Sequence, residues 1–373
     1  MKKILTAAAL FLALSLCLTV AVAGGGSAGD PLVSLSYLES IFSPSAESQV
    51  QQKLNQAAAS TREEADRLLT GMKADVLAAS GLNTALSPQE ATMNSGDVLS
   101  GTTGLTVLPL AGEIRLTLAK GDVVDATTGK EVPTDTILTL NHRYIVAESA
   151  LARFTAVSPT AIVSYEGSYA LSLSETTPNY FAIARALRDL DLFRGTGSGI
   201  GEGFDLHLTP TRTEGLVMFI RILGEEQAAL SCQYTHPYTD VPAWADRYVA
   251  WAHHQGYTNG ISATLFGSSQ AITATQYEEF LLRALGYSTA GVEDYTTALS
   301  RARDLGILTE GEFQMLSQDT FLRAYVAYIS YYALDVPLRG TEQTLAQRLQ
   351  AAGLFSEYQL ATARILVDSS RLS

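Results

Sequence analysis

Residues Pro237–Tyr287 read PYTDVPAWADRYVAWAHHQGYTNGISATLFGSSQAITATQYEEFLLRALGY, and residues Tyr180–Gly224 read YFAIARALRDLDLFRGTGSGIGEGFDLHLTPTRTEGLVMFIRILG. Both run from a helical stretch through a glycine turn into a loop with one phenylalanine, then into a second helix opened by a threonine. A unit of roughly fifty residues that recurs implies stacked copies of a small element that cannot bury its apolar face alone. The second helices align closely. Gly215, Met218, Phe219 and Ile222 match Tyr277, Phe280, Leu281 and Ala284, each set spaced i, i+3, i+4, i+7 on one helix face. Thr211 and Thr273 occupy the N-cap positions, and Glu214 completes a capping box with Thr211. Phe204 and Phe266 each stand seven residues before a cap. The first helix of the later unit carries Trp244, Tyr248, Trp251 and Ala252 on one side. Ile183, Ala186 and Leu187 fill the matching places in the earlier unit.

A third, worn copy follows at Tyr295–Gly306, Phe313 and Leu322–Tyr325. Two registers fit it. One sets Arg323 opposite Arg212 with Leu322 at the cap. The other makes Thr320 the cap and puts Phe321 in the arginine's place.

Outward from the repeats the pattern changes. Ser48–Leu82 reads as a helix, with Val50, Leu54, Ala57, Ala65, Leu68, Met72 and Val76 recurring at threes and fours. It serves as a stalk, a packed helical pair or a coiled-coil seam. From Asp97 the period becomes two, and Ile114, Leu116 and Leu118 alternate with Arg115, Thr117 and Ala119. Asp97–Ser174 therefore reads as a small β-rich domain, and Ser172–Asn179 as a polar linker. The segment after Arg339 reads as two further amphipathic helices.

The expected class is an α+β multidomain chain: N-terminal helical segment, small all-β domain, C-terminal all-α bundle of three degenerate repeats. The expected boundaries are 1–23 (leader peptide), 24–96, 97–174, 178–337 (repeats at about 178–228, 237–288 and 294–337) and 338–373.

The chain has 373 residues and a formal net charge of −13. Residues Met1–Ala23 form a secretory signal: Lys2 and Lys3, an apolar run from Ile4 to Val22, then small residues at Ala21 and Ala23. Cleavage after Ala23 removes two lysines and no acids, leaving about −15. Leu16 before Cys17 argues against lipidation. Cys232 then remains alone, so no disulfide framework is expected and stability must come from packing. No later apolar run approaches the roughly 20 residues of a membrane span, and the acidic balance argues against nucleic acid.

These residues bring a family into view. The repeats resemble the S-layer homology (SLH) domain of secreted proteins from Gram-positive, clostridial-type bacteria. TDVPAWA at Thr239–Ala245 matches the opening of its first helix, and TRTE at Thr211–Glu214 matches the signature that opens its second. Gly29–Ser40, GDPLVSLSYLES, looks like the mature start of such proteins. The resemblance covers about Pro178–Val336. It implies a three-repeat bundle whose grooves hold a secondary cell-wall polysaccharide linked to peptidoglycan, often one bearing a pyruvate ketal.

The implied chemistry has a physical basis. A sugar carboxylate wants a planar cation fork and the free N–H groups of a helix start. Arg212, Glu214 and Thr211 match the signature, and Arg323 matches in one register; Ala274 and Gln276 depart from it in the second repeat. Asp240 and Trp244 belong to the opening motif. Arg212 and Arg323 read equally as surface arginines in a first helical turn, and Trp244 as a packing residue or a sugar platform.

Other motifs are weaker. GTGSGIGEG at Gly195–Gly203 lacks the Gly-Lys-Ser/Thr of a phosphate loop and follows a helix, so it reads as a loop. His253 and His254 are adjacent and face different sides, while His142, His207 and His236 are scattered, so no metal site is expected. No catalytic constellation and no cofactor motif is found.

The expected function is therefore a non-enzymatic protein of the cell surface, anchored non-covalently to wall polysaccharide. Self-association through the helical segment is a further expectation. The alternatives are a self-assembling surface-layer subunit whose repeats only pack, and a wall-active carbohydrate enzyme.

Overall fold

The computed structural model describes residues 42–80, 83–147, 150–288, 297–318, 320–367 and 369–373, with side chains in the first stretch through residue 63 and at residue 65. The leader peptide expected at 1–23 and the stretch 24–41 lie outside the described residues. The chain divides into two compact units, residues 1–76 and 77–373.

The first unit's described part is one long helix, α1 (Ser43–Ser80, 38 residues). All of its described side chains except Ala46 are exposed.

The second unit begins with ten strands: β1 (Asn83–Asn94), β2 (Val98–Thr102), β3 (Thr106–Ala111), β4 (Ile114–Lys120), β5 (Val123–Asp125), β6 (Lys130–Glu131), β7 (Thr136–Ile137), β8 (Tyr144–Val146), β9 (Leu151–Ala156) and β10 (Thr160–Ser172). They form one antiparallel sheet in the order β6-β5-β8-β3-β10-β2-β9-β4-β7, with β1 on β10. The path starts at β6 and ends at β7, which are neighbours in the chain. The sheet thus curls until one short loop, Val132–Asp135, ties its two ends. Alternate residues enclose a core of Met93, Leu99, Val107, Ile114, Leu116, Val123, Phe154 and Val163, all fully buried.

Helices follow: α2 (Tyr180–Asp189), α3 (Arg212–Ile222), α4 (Glu226–Ser231), α5 (Asp246–His254), α6 (Ala274–Ala284), α7 (Ala298–Asp304), α8 (Glu310–Gln318), α9 (Arg323–Ala333), α10 (Leu345–Ala351) and α11 (Glu357–Ile365). The three helices α3, α6 and α9 touch one another. Phe219 of α3 meets Tyr277 and Phe280 of α6, and the Tyr277 hydroxyl lies 2.8 Å from Ser330 Oγ of α9. Gly215 lets α3 approach closely: a Cβ there would stand 2.8 Å from Ile272 Cδ1. The apolar faces at i, i+3, i+4, i+7 thus meet in a common core.

The expected fold class does not hold. Its small all-β domain is a large curled sheet of ten strands that starts at Asn83, inside the span assigned to leader and helix. β1 leaves no strand signature because its sequence, NTALSPQEATMN, is polar and carries Pro88. The pairing register with β10 shifts between Ala85 and Gln89, so the proline sits in an irregularity where no ladder donor is required. The sheet is also not separate from the helices. Ala111 and Ile162 belong to the helical core, and Glu90 Oε1 accepts from Gly201 N at 2.9 Å. An arrangement of helix, sheet and helices within an α+β chain remains.

Candidate functional site

The starts of α3 and α6 carry reciprocal caps. Thr211 Oγ1 accepts from Glu214 N at 3.2 Å, and Glu214 Oε2 accepts from Thr211 N at 2.7 Å. Thr273 and Gln276 repeat this at 3.2 and 3.3 Å. Such boxes satisfy two orphan donors at once. The carboxylate of Glu214 is therefore engaged within its own helix start.

The residue after each cap differs, and its environment decides what the turn can do. Arg212 is fully buried. Its guanidinium lies between the rings of Phe266 and Phe280, 5.0 and 5.1 Å from their centroids, and Nη2 donates to Thr258 Oγ1 at 3.4 Å. A cation enclosed by aromatic faces is held by the ring quadrupoles. The backbone is occupied as well: Arg212 N donates to Gln270 O at 2.7 Å, and Thr213 N to Ser268 O at 3.4 Å.

Arg323 sits at the equivalent place on α9, which begins with Leu322 at the cap, so the first of the two registers is the one adopted. Nε donates to Phe204 O at 3.0 Å and Nη2 to Arg194 O at 3.1 Å. Arg323 N and Ala324 N donate to Leu208 O and Leu206 O at 2.8 and 3.0 Å. Burial lowers the pKa of this guanidinium, while the charges of Glu214 and Asp205 oppose that. Both arginines thus carry their charge inward, where each fastens a neighbouring segment.

Ala274 has no side chain that could do this. A cavity of about 500 Å³ opens at the first turn of α6 instead. Its walls offer the hydroxyl-bearing residues Thr209, Thr273, Thr275, Ser300, Ser317 and Thr320 over an apolar floor of Leu299, Phe313, Leu316 and Phe321. Among the described residues no charged one lines it. Helix α8 contributes Phe313, Leu316 and Ser317 to it. A second cavity of about 530 Å³ lies on the other side of the same helix start, among Asn259, Gly260, Ile261, Ser262, Ala263 and Gln276, with Arg212 at its base.

Asp240 and Trp244 part company. Asp240 accepts from the amides of Phe266, Gly267 and Ser268 at 2.7, 2.7 and 3.0 Å, and so shapes the loop before α6. Desolvation pushes its pKa upward, but these amides together outweigh that and hold it below the ordinary carboxylate value. Trp244 is 59% exposed on a short 3₁₀ turn, Ala243–Ala245. The packing tryptophan is Trp251, whose Nε1 donates to Glu225 Oε2 at 2.9 Å.

The structure thus brings Thr211, Arg212 and Glu214 together at one helix start. Arg323 serves another, Asp240 a supporting loop, and Trp244 the surface. Thr258 and the hydroxyl-bearing walls of the groove at Ala274 are silent in the sequence, because isolated threonines and serines carry no periodic signal. Among the described residues no three His, Cys, Asp or Glu side chains gather as a metal site would require. No described helix is long and apolar enough to cross a membrane.

No protein-family model matches the chain. The chain is 28% identical over 219 residues to the middle cell wall protein of Brevibacillus brevis, and 28% identical over 176 residues to a surface layer protein of Brevibacillus choshinensis. These alignments take in 54% and 43% of this chain but 20% and 15% of the relatives, so the chain spans a fifth or less of the curated proteins it matches. At that coarse level it is similar to proteins of the bacterial cell wall and surface layer.

Proposed function

We propose that this chain is a non-catalytic cell-surface protein, secreted through its leader peptide and held at the wall by its repeat-bearing helical region. The observation that carries this reading is the similarity to a cell wall protein and a surface layer protein. The partner we propose is a polysaccharide joined to peptidoglycan. The groove at Ala274 is its contact: hydroxyl-bearing walls over an apolar floor suit the alternating polar and apolar faces of a sugar ring. With no cation among the described residues of that groove, an uncharged sugar fits it better than a ketal carboxylate. Arg212 and Arg323 then act as internal fasteners that shape the grooves rather than as ligand forks. Weak contact at one groove becomes firm attachment when a polymer engages several copies at once.

Co-sedimentation with isolated walls tests this. The parent chain is expected in the pellet with intact walls and in the supernatant with walls stripped of polysaccharide. Ala274→Trp, which fills the groove, is expected to release it. Equal pelleting with stripped walls overturns the reading. The second reading is a self-assembling surface-layer subunit, favoured by the name of the Brevibacillus choshinensis relative; ordered assembly without any wall material would select it.

A further inference from the structure

Residues Ser369–Ser373 form neither helix nor strand, and none of them is buried. They are nevertheless fastened along their length. Ser369 Oγ accepts from Asn179 N, at the start of α2, at 2.8 Å. Leu372 N donates to the Tyr328 hydroxyl of α9 at 2.8 Å, and Leu372 O accepts from Thr309 Oγ1, just before α8, at 2.7 Å. Gly311 lets the segment lie close, since a Cβ there would run into Ser373 O. A segment held through its amide and carbonyl is gripped as an extended peptide is in a binding groove.

Between these contacts one side chain enters the protein. Arg371 Nε and Nη2 donate to the two carboxylate oxygens of Glu312 at 2.6 and 2.7 Å, and Nη2 also donates to Ile307 O at 2.6 Å. The guanidinium lies 4.9 Å from the centre of the Tyr332 ring. The side chain of Glu312 is 1% exposed and that of Arg371 is 32% exposed, so the acid belongs to the interior and the cation reaches in from the surface. Glu278 lines the same small cavity, buried, with no hydrogen-bond partner for either carboxylate oxygen among the described residues. Two buried carboxyls, a backbone carbonyl and an aromatic face call for a planar cation with several directed donors. Arginine meets all of them at once, whereas the ammonium of lysine cannot make the fork.

The start of α8 depends on what sits there. Glu312 also accepts from Thr309 N at 2.9 Å, closing the cap of α8. Without Arg371 it loses the cation that its burial requires, and the first turn of α8 must open to hydrate it. We infer that Ile307, Thr309, Glu312, Tyr328 and Tyr332 form a seat for an extended, arginine-bearing peptide, filled in cis by Ser369–Ser373, and that its occupancy locks α8 against α9. The seat shares α8 with the Ala274 groove but none of that groove's lining residues, and it does not depend on what the groove binds.

Hydrogen exchange of the full chain, followed by mass spectrometry over Thr309–Ser317, tests the inference. Arg371→Ala is expected to speed exchange of the α8 amides by about tenfold or more, while those of β10 keep the parent rate. The synthetic peptide Ser-Ser-Arg-Leu-Ser, added to that variant at millimolar concentration, is expected to restore slow exchange; the same peptide with lysine in place of arginine is not. Recovery also shows that the variant has stayed folded. Glu312→Gln, which keeps the cap and removes the carboxylate, is expected to loosen α8 in the same way and to ignore the peptide. Unchanged exchange in Arg371→Ala, exchange that rises equally in β10, no response to the arginine peptide, or equal rescue by the lysine peptide each overturns the inference. No wall material enters the experiment, so its failure leaves the proposed sugar contact standing.

Discussion

Glu278 of α6 is the most informative single perturbation in the helical region. Its side chain is 1% exposed, and neither carboxylate oxygen has a hydrogen-bond partner among the described residues. Burial comes first in raising its pKa, the charges of Glu312 and Glu279 add to that, and Arg371 opposes them; the carboxyl is pushed up to about 8 from an ordinary 4.5. Between those two values the unfolded chain has released the proton while the folded chain keeps it. The folded state binds more protons there, so stability falls as pH rises, by about 1.4 kcal/mol per unit at most. Below the ordinary value both states are protonated and nothing is lost. The accumulated loss at pH 7 is on the order of 3 kcal/mol.

Glu278→Gln keeps the shape and removes the titration. Urea unfolding of parent and variant should be compared at pH 5 and pH 7. The variant is expected to gain less than about 1 kcal/mol at pH 5 and about 3 kcal/mol at pH 7, with the same dependence on urea. A gain that does not grow between the two pH values, or a loss at both, refutes a neutral buried carboxyl at this position.

Three further outcomes follow from the geometry. Arg323→Ala strips the carbonyls of Phe204 and Arg194 of their donor, and is expected to cost about 2–4 kcal/mol and to open the Gly195–Gly203 loop to protease, read by urea unfolding and limited proteolysis. Asp240→Ala leaves three amides of the loop before α6 without their acceptor; a loss of about 2–3 kcal/mol is expected in thermal unfolding, and Asp240→Asn recovers only part of it. Gly195→Ala would set its Cβ 1.9 Å from Gly203 O, so the loop must move; faster cleavage between Gly195 and Gly203 is expected, with the α-helical circular dichroism unchanged.

The features legible in the amino-acid sequence are local ones. Threonine caps with Glu214 or Gln276 three residues on and apolar residues at threes and fours are short-range patterns, and a helix obeys short-range rules. Arg323 is legible in the same way, as an arginine in a first helical turn. β1 is not, because a polar strand with a proline has no alternating signature and is held in place by its distant partner β10. The curled sheet is not, because its strand order depends on pairing between strands far apart in sequence, as β10 pairs with β1, β2 and β3.

The arginines show the division most clearly. The residues around Arg212 announce a capped helix start, and that is all a local pattern can announce. Whether its guanidinium faces solvent or two phenylalanine rings depends on Phe266 and Phe280, more than fifty residues away. The helix caps at Thr211 and Thr273 were thus determined by sequence alone. The tertiary structure decided that the arginines became internal fasteners, that a groove opened at Ala274, and that Glu278 was shut away from water, because burial is set by which distant segments arrive.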